Sequence, residues 1–222
     1  MSQKNEIDMA IVELHRRAEL TSKVRYDAAR RLMNHNLFSQ WTLAVLAVGQ
    51  IMISVMDALD LPSNYSDDYL AFGSIFFGVL VLAYSLLLGM ANYSARSVKL
   101  HKCGLDLGEL ARELYMKSTQ TGAMGYSYIE YAKRYYVILG QYENHEEIDY
   151  ARTKHLMKQG KKSDRTAETT TDKASDKVLF KTYGINYLRG ILLLIRYYTG
   201  FAHYFVTVIL MSGWLWLAIP KS

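Results

Sequence analysis

The side chains best equipped for chemistry stand apart in this chain, and few spacings bring two of them onto one face. His145 and Asp149 are four apart at the start of a helix-patterned segment, so imidazole and carboxylate can meet. That pair reads as a structural His–carboxylate contact at a helix start rather than as part of a metal site. His101 and Cys103 are two apart and face different directions on a helix, so they do not form a metal pair. The six His are otherwise scattered, and no H-E-x-x-H, phosphate loop or nucleophile elbow occurs. No catalytic residue, no metal site and no cofactor is expected. Asn64-Tyr65-Ser66 and Asn92-Tyr93-Ser94 match the N-glycosylation pattern, which is common by chance. Eighteen tyrosines could stack on a nucleotide, but nothing cradles its phosphates. Tyr128, Tyr131, Tyr135, Ile138 and Tyr142 instead line one helix face and suit the packing of a bundle.

Two further sets lie in apolar surroundings. Gln50 and Ser54 are one turn apart in a long uncharged run. A primary amide in hydrocarbon is costly unless it finds a partner, so Gln50 either bonds a neighbouring helix or lines a water path. Ser74, Gly78, Ser85 and Gly89 follow at steps of four, seven and four on one face of a second run. Small residues so spaced let helix backbones approach closely in lipid. They suit a homo-oligomer seam, or equally the packing of a hairpin against its own first helix.

The elements that must position these residues follow from charge. Asn36 to Met56 and Tyr69 to Ala95 contain no charged side chain. Each reaches the ~20 residues needed to cross a ~30 Å hydrocarbon core. The loop between them holds Asp57, Asp60, Asp67 and Asp68, whereas Arg17, Lys23, Arg25, Arg30 and Arg31 precede and Arg96, Lys99 and Lys102 follow. Basic residues stay on the cytoplasmic side, so both ends should lie inside and the acidic loop outside. The competing interpretation, a buried hairpin of a soluble protein, fits poorly with runs this long and uncharged.

Around the hairpin (36–95) the pattern is helical and strand-like alternation is absent. Residues 1–35 form an N-terminal cytosolic helix, with Ile7, Ile11, Leu14, Ala18, Thr21, Ala28 and Leu32 in a coiled-coil-like stripe that Arg25 interrupts. It can run unbroken into the first span. Residues 70–117 read as one helix leaving the membrane, bent near Gly104 or Gly108. Within a cytosolic bundle over 96–159, Ser127 to Glu130 has the form of a capping box, and Asn144 to Glu147 offers a second cap. Residues 160–177, rich in Lys, Asp, Ser and Thr, read as a flexible linker. In 178–222, the stretch Tyr197 to Pro220 has no Lys, Arg, Asp or Glu and carries aromatic residues at both ends. A third span is expected there, the alternative being a helix on the inner leaflet. Mean hydropathy of -0.04 averages apolar spans with a polar remainder. The net charge of +5 belongs beside membrane spans, and no direct nucleic-acid binding is expected from it. One cysteine, Cys103, excludes an intrachain disulfide. The first 35 residues are charged throughout, so no signal peptide is expected. Spans without Asp, Glu, Lys or Arg argue against a proton-coupled transporter or an ion pump.

Some of these stretches resemble a known family. Arg16-Arg17-Ala18 and Tyr26-Asp27-Ala28-Ala29-Arg30-Arg31 precede the hairpin. Ala95-Arg96, Leu100-His101-Lys102-Cys103-Gly104, Leu107 and Leu110 follow it. Asn144-His145-Glu146-Glu147-Ile148-Asp149-Tyr150 closes the set. Together they resemble the SLATT proteins, two-transmembrane effectors of prokaryotic nucleotide-sensing and conflict systems. The subfamily found beside reverse transcriptases is the most similar. The resemblance covers roughly residues 10–200, with the Asn-His-x-x-Ile-Asp stretch its most specific part. It implies a structural role for Asn144, His145 and Asp149. It also implies an anti-phage membrane effector that forms pores or disrupts the prokaryotic inner membrane, with no enzyme activity. Its partners would be the lipid bilayer, further copies of the chain, and an associated nucleotide-signalling enzyme or reverse transcriptase. The reading is thus an all-α membrane protein, with a hairpin continuous with a cytosolic bundle and a third C-terminal membrane helix. The other functional reading is a membrane-anchored adaptor that recruits a cytosolic partner.

Overall fold

The computed structural model describes residues 2–119, 128–166 and 176–219, and all regular structure among them is helical. Six helices follow in order: α1 Ser2–Ala58, α2 Asp67–Ala91, α3 Tyr93–Thr119, α4 Tyr128–Gly140, α5 Glu147–Thr166 and α6 Asp176–Ala218. Three carry segments long and apolar enough to cross a membrane, within Met9–Ala58, Asp67–Ser118 and Thr199–Ala218. Two compact units result, one of Met1–Leu32 with Ala95–Ile195, the other of Met33–Ser94 with Arg196–Ser222.

Helix α1 runs 57 residues without interruption, so the charged N-terminal helix and the first span are one element. The second span behaves differently. A single helix over 70–117 is not formed, because Asn92 sits in the left-handed region at φ 45° and ψ 42°. Its N–H closes the end of α2 on the Leu88 carbonyl at 3.3 Å, and α3 begins at Tyr93. Asparagine tolerates this conformation better than most residues, so the break falls here and not at Gly104 or Gly108. Those two glycines stay helical and instead admit neighbours, Tyr26 at Gly104 and the Ser22 hydroxyl at Gly108. Helix α5 extends to Thr166, beyond Gln159, so residues 160–166 of the expected linker are helical. The rest of that linker up to 175 and the Ser127 cap lie outside the described residues, and the linker's last two positions, Asp176 and Lys177, begin α6.

In the first unit, Ile11, Leu14 and Ala18 of α1 pack with Cys103, Leu107, Leu110, Ala111 and Leu114 of α3. Tyr135 of α4 closes this core, with Tyr131, Ile138 and Tyr142 packed against it. The stripe from Tyr131 to Tyr142 thus faces the bundle, Tyr128 stays exposed, and two of the hydroxyls find polar partners. Tyr135 lies 3.1 Å from the Thr21 hydroxyl, and Tyr142 donates to Asp106 at 2.8 Å.

In the second unit, α6 packs on both arms of the hairpin through Leu46, Ile53, Phe77 and Met211. Gly49 lies under the Met211 side chain, which would have to move for a β-carbon, and Gly73 lies under the rigid Trp214 ring, which leaves no room for one. Between 17% and 22% of each apolar window is buried inside the chain, which leaves the rest to meet lipid. At one end of α6, the Asn64 amide donates to the carbonyls of Leu217 at 3.2 Å and Ile219 at 2.9 Å. The Asn64 N–H reaches Ala218 at 3.0 Å. This satisfies carbonyls that a helix end leaves without partners. Toward the other end His35 stacks on Phe201 at 4.0 Å and lies 3.2 Å from the Tyr204 hydroxyl.

These glycine seats generate a stability prediction. Gly49→Leu or Gly73→Leu should destabilise the packing of α6 by at least the ~1–3 kcal/mol typical of overpacking. Gly89→Leu, where the added β-carbon meets nothing within 4 Å in the chain, should leave the packing of α6 unchanged. Thermal unfolding in detergent, read by Trp214 fluorescence, checks the difference.

Candidate functional site

Two groups of polar side chains stand out from the apolar packing, one in each unit. The first begins with Arg25, which occupies a core position of the α1 stripe and is only 2% exposed. Its Nη1 donates to the Glu143 carbonyl and its Nη2 to Asn144 Oδ1 at 3.3 Å. Its Nε is buried without a hydrogen-bond partner. Asn144 Oδ1 also accepts the His145 N–H at 3.1 Å. Six residues along α1, Arg31 grips Asp149 with two bonds, Nε–Oδ1 at 2.9 Å and Nη2–Oδ2 at 3.1 Å. It also pairs with Glu146 at 2.8 Å. Arg96 of α3 adds Nε bonds of 3.0 Å to both carboxylate oxygens of Glu143. Thr153 donates to Asp27 at 2.6 Å, which ties α5 to α1 a second time. Segment 143–149 is therefore held down by three arginines from two helices.

The start of α5 explains the local shape. Asp149 Oδ2 accepts the Glu146 N–H at 3.2 Å, the reach-back half of a capping box. The cap is thus centred on Glu146 and Asp149, not on Asn144 and Glu147, because Asn144 is engaged by Arg25. The expected His145–Asp149 contact is likewise not made. A bidentate guanidinium is a stronger partner for a carboxylate than an imidazole, and Arg31 takes it. Arg31 loses basicity through burial, but its pairs with Asp149 and Glu146 together outweigh this and raise it above its ordinary value. His145 keeps a buried Nδ1 without a hydrogen-bond partner. Burial first, and the Arg25 charge second, push it below the ordinary histidine value.

The second group lies in the hairpin. Gln50 Nε2 donates to Ser74 Oγ at 3.1 Å and to Ser54 Oγ at 3.5 Å. Ser54 and Ser74 hydroxyls are 3.3 Å apart, and Gln50 Oε1 is buried with no hydrogen-bond partner. Gly78 lies beside the Gln50 amide, which a β-carbon would meet at 3.6 Å. The small face of α2 therefore divides. Ser74 and Gly78 turn to the chain's own first span. Ser85 donates back to Leu82 at 3.0 Å, and Gly89 opens onto empty space. Among the described residues, no three His, Cys, Asp or Glu come together as a metal site.

Sequence reasoning named Gln50, Ser54 and the Asn144–Asp149 stretch but missed their partners. Arg25 was legible only as an interruption of an apolar stripe. Such an interruption is itself a signal, since a charge at a core position needs a built partner. Gly49, Gly73 and Asn64 carried no pattern that singled them out.

Three apolar helices in one chain with a charged, arginine-strapped helical bundle define an all-α membrane protein. The chain belongs to the SMODS and SLOG-associating 2TM effector domain family 5, whose profile matches residues 7–216. It is thus a membrane effector. That match takes in the apolar part of α6, although the family is described as 2TM. No curated protein and no solved structure matches the chain.

Arg31→Gln leaves Asp149, whose side chain is 3% exposed, without its counter-charge. Removing one partner of a buried pair should cost about 3–5 kcal/mol. Arg31→Met with Asp149→Leu should recover only part of it, because the Asp149 cap on the Glu146 N–H is lost as well. Hydrogen exchange in α5 reads both. His145 gives a pH dependence. Its folded value lies below the ordinary 6.5, so the unfolded chain binds the proton first. Its stabilising contribution is full above 6.5 and is lost as the pH falls toward the folded value. His145→Gln should flatten that loss in melting curves recorded across the window.

Proposed function

We propose that this chain is an oligomeric effector of prokaryotic anti-phage defence that opens a path through the inner membrane when a signal arrives. The observation that carries this reading is the Gln50–Ser54–Ser74 cluster. It sets a polar patch, with one carbonyl oxygen left unsatisfied, into spans that hold no charged residue. An unsatisfied buried amide oxygen costs free energy, and water in an opened path would remove that cost. The described spans pack their apolar faces on one another, so the path is formed between several copies. Gly89 and its neighbour Ser85, which pack on nothing within the chain at Gly89, supply the face for close approach of a second copy. The basic residues beside the spans favour a cytosolic N-terminus and an outer acidic loop. The chain acts without enzymatic chemistry, and its trigger comes from an associated nucleotide-signalling enzyme or reverse transcriptase.

Induced expression should collapse the membrane potential, read with a voltage-sensitive dye. Gln50→Leu should block the leak and leave insertion and oligomer size unchanged. Full depolarisation by Gln50→Leu removes this residue from the path. Absence of depolarisation by the unmodified chain together with its partner enzyme favours a recruiting adaptor. Orientation has its own test. A cysteine at exposed Asp68 should react with an impermeant thiol reagent in intact cells, and buried Cys103 contributes no background.

A further inference from the structure

We propose that Arg25, Arg31 and Arg96 form a binding site for a phosphate-bearing anion, and that the chain's own segment 143–149 fills it at rest. The segment has the composition of a stand-in ligand. It presents the carboxylates of Glu143, Glu146 and Asp149 to the arginines of α1 and α3. The match is incomplete at one place. Arg31 and Arg96 each face carboxylate oxygens. Arg25, at 2% exposure, has only a peptide carbonyl and an amide oxygen, and its Nε has no partner. A buried guanidinium met by neutral oxygens alone is under-compensated. A phosphate offers it several anionic oxygens in the geometry that a guanidinium fork prefers.

The occupant is also releasable. Within 143–149, only Asp149 is buried, while Glu143, Asn144, Glu146 and Glu147 are exposed. The segment is thus held chiefly by polar contacts to the arginines, and an anion that takes over those contacts offsets the loss of the carboxylates. Arg25 and Arg96 both contact Glu143, so a ligand with two or more phosphates in its place reaches both, and the displaced carboxylates return to water. The shared chemistry is a clustered phosphate, free in solution or on the headgroup of an anionic lipid. Arg31 and Arg96 stand in sequence beside the ends of the membrane spans, which keeps both sources open. The site stands whether the chain opens a path or recruits a partner.

The test uses the full chain in nanodiscs. In one arm the lipid is neutral phosphatidylcholine, and inorganic tripolyphosphate is titrated in. In the other, phosphatidylglycerol is included and no polyphosphate is added. Amide hydrogen exchange over residues 143–150 reports displacement. Exchange should rise in at least one arm. A response to tripolyphosphate alone identifies a free ligand, and a response to phosphatidylglycerol alone identifies a headgroup. Asp149→Asn and Glu146→Gln weaken the internal competitor, so each should tighten binding, Asp149→Asn by about tenfold. Arg25→Gln should abolish the response. Glu146 is already 58% exposed, so its variant keeps the fold if Asp149→Asn does not. Unchanged exchange in both arms, or binding that Glu146→Gln leaves equal or weaker, overturns the site.

Discussion

Hydrocarbon offers no hydrogen bond to a peptide group, and the rest of this fold is arranged around that fact. A segment that crosses it must satisfy its backbone internally, which leaves the helix as the solution for a chain without strand patterning. Charge is therefore expelled to the ends of the spans, and what polarity remains must find partners inside. Gln50, Ser54 and Ser74 do so with one another. Helix ends face the same demand, and Asn64 answers it for α6. Without a hydrophobic force between helices in lipid, close packing does the work, so glycines decide where helices meet.

Outside the spans a different balance holds. Burying Arg25 and Arg31 costs desolvation that an apolar core would not incur, and buried ion pairs seldom repay it as net stability. What they supply is selectivity of contact. The α4–α5 connection has one place to dock on α1, and the acid that caps α5 is the same acid that grips Arg31. Cap, loop and helix contact thus stand or fall together. An apolar seam in that position would tolerate sliding by a turn, and a bidentate pair does not.

Most of the architecture was legible in the residues. The uncharged runs gave the spans, and the Ile11–Leu14–Ala18 spacing gave the core face of α1. The apolar tail gave the end of α6. What escaped is of two kinds. Positions defined by absence, such as Gly49 and Gly73, carry no side chain whose type could reveal a contact. Which glycine seats a partner depends on helix rotation, and Gly78 and Gly89 had the better spacing. Competition is the other kind. His145 and Asp149 have a spacing that suits a contact, but a distant arginine outbids the imidazole, and no local pattern reveals a partner 118 residues away. The break at Asn92 was hidden for a related reason, since asparagine is compatible with both a helix and its end.

The bonds from Asn64 to the last turn of α6 have a temporal side. Their partners are separated by 153 to 155 positions, with α3, α4 and α5 made in between. Synthesis proceeds from the N-terminus, so the hairpin enters the bilayer long before α6 exists. During that interval Gly49 and Gly73 are bare notches in two newly inserted helices, open to lipid or to another nascent chain. Ribosome and insertion machinery thus handle a two-span intermediate first, and the third helix arrives as a wedge that locks it.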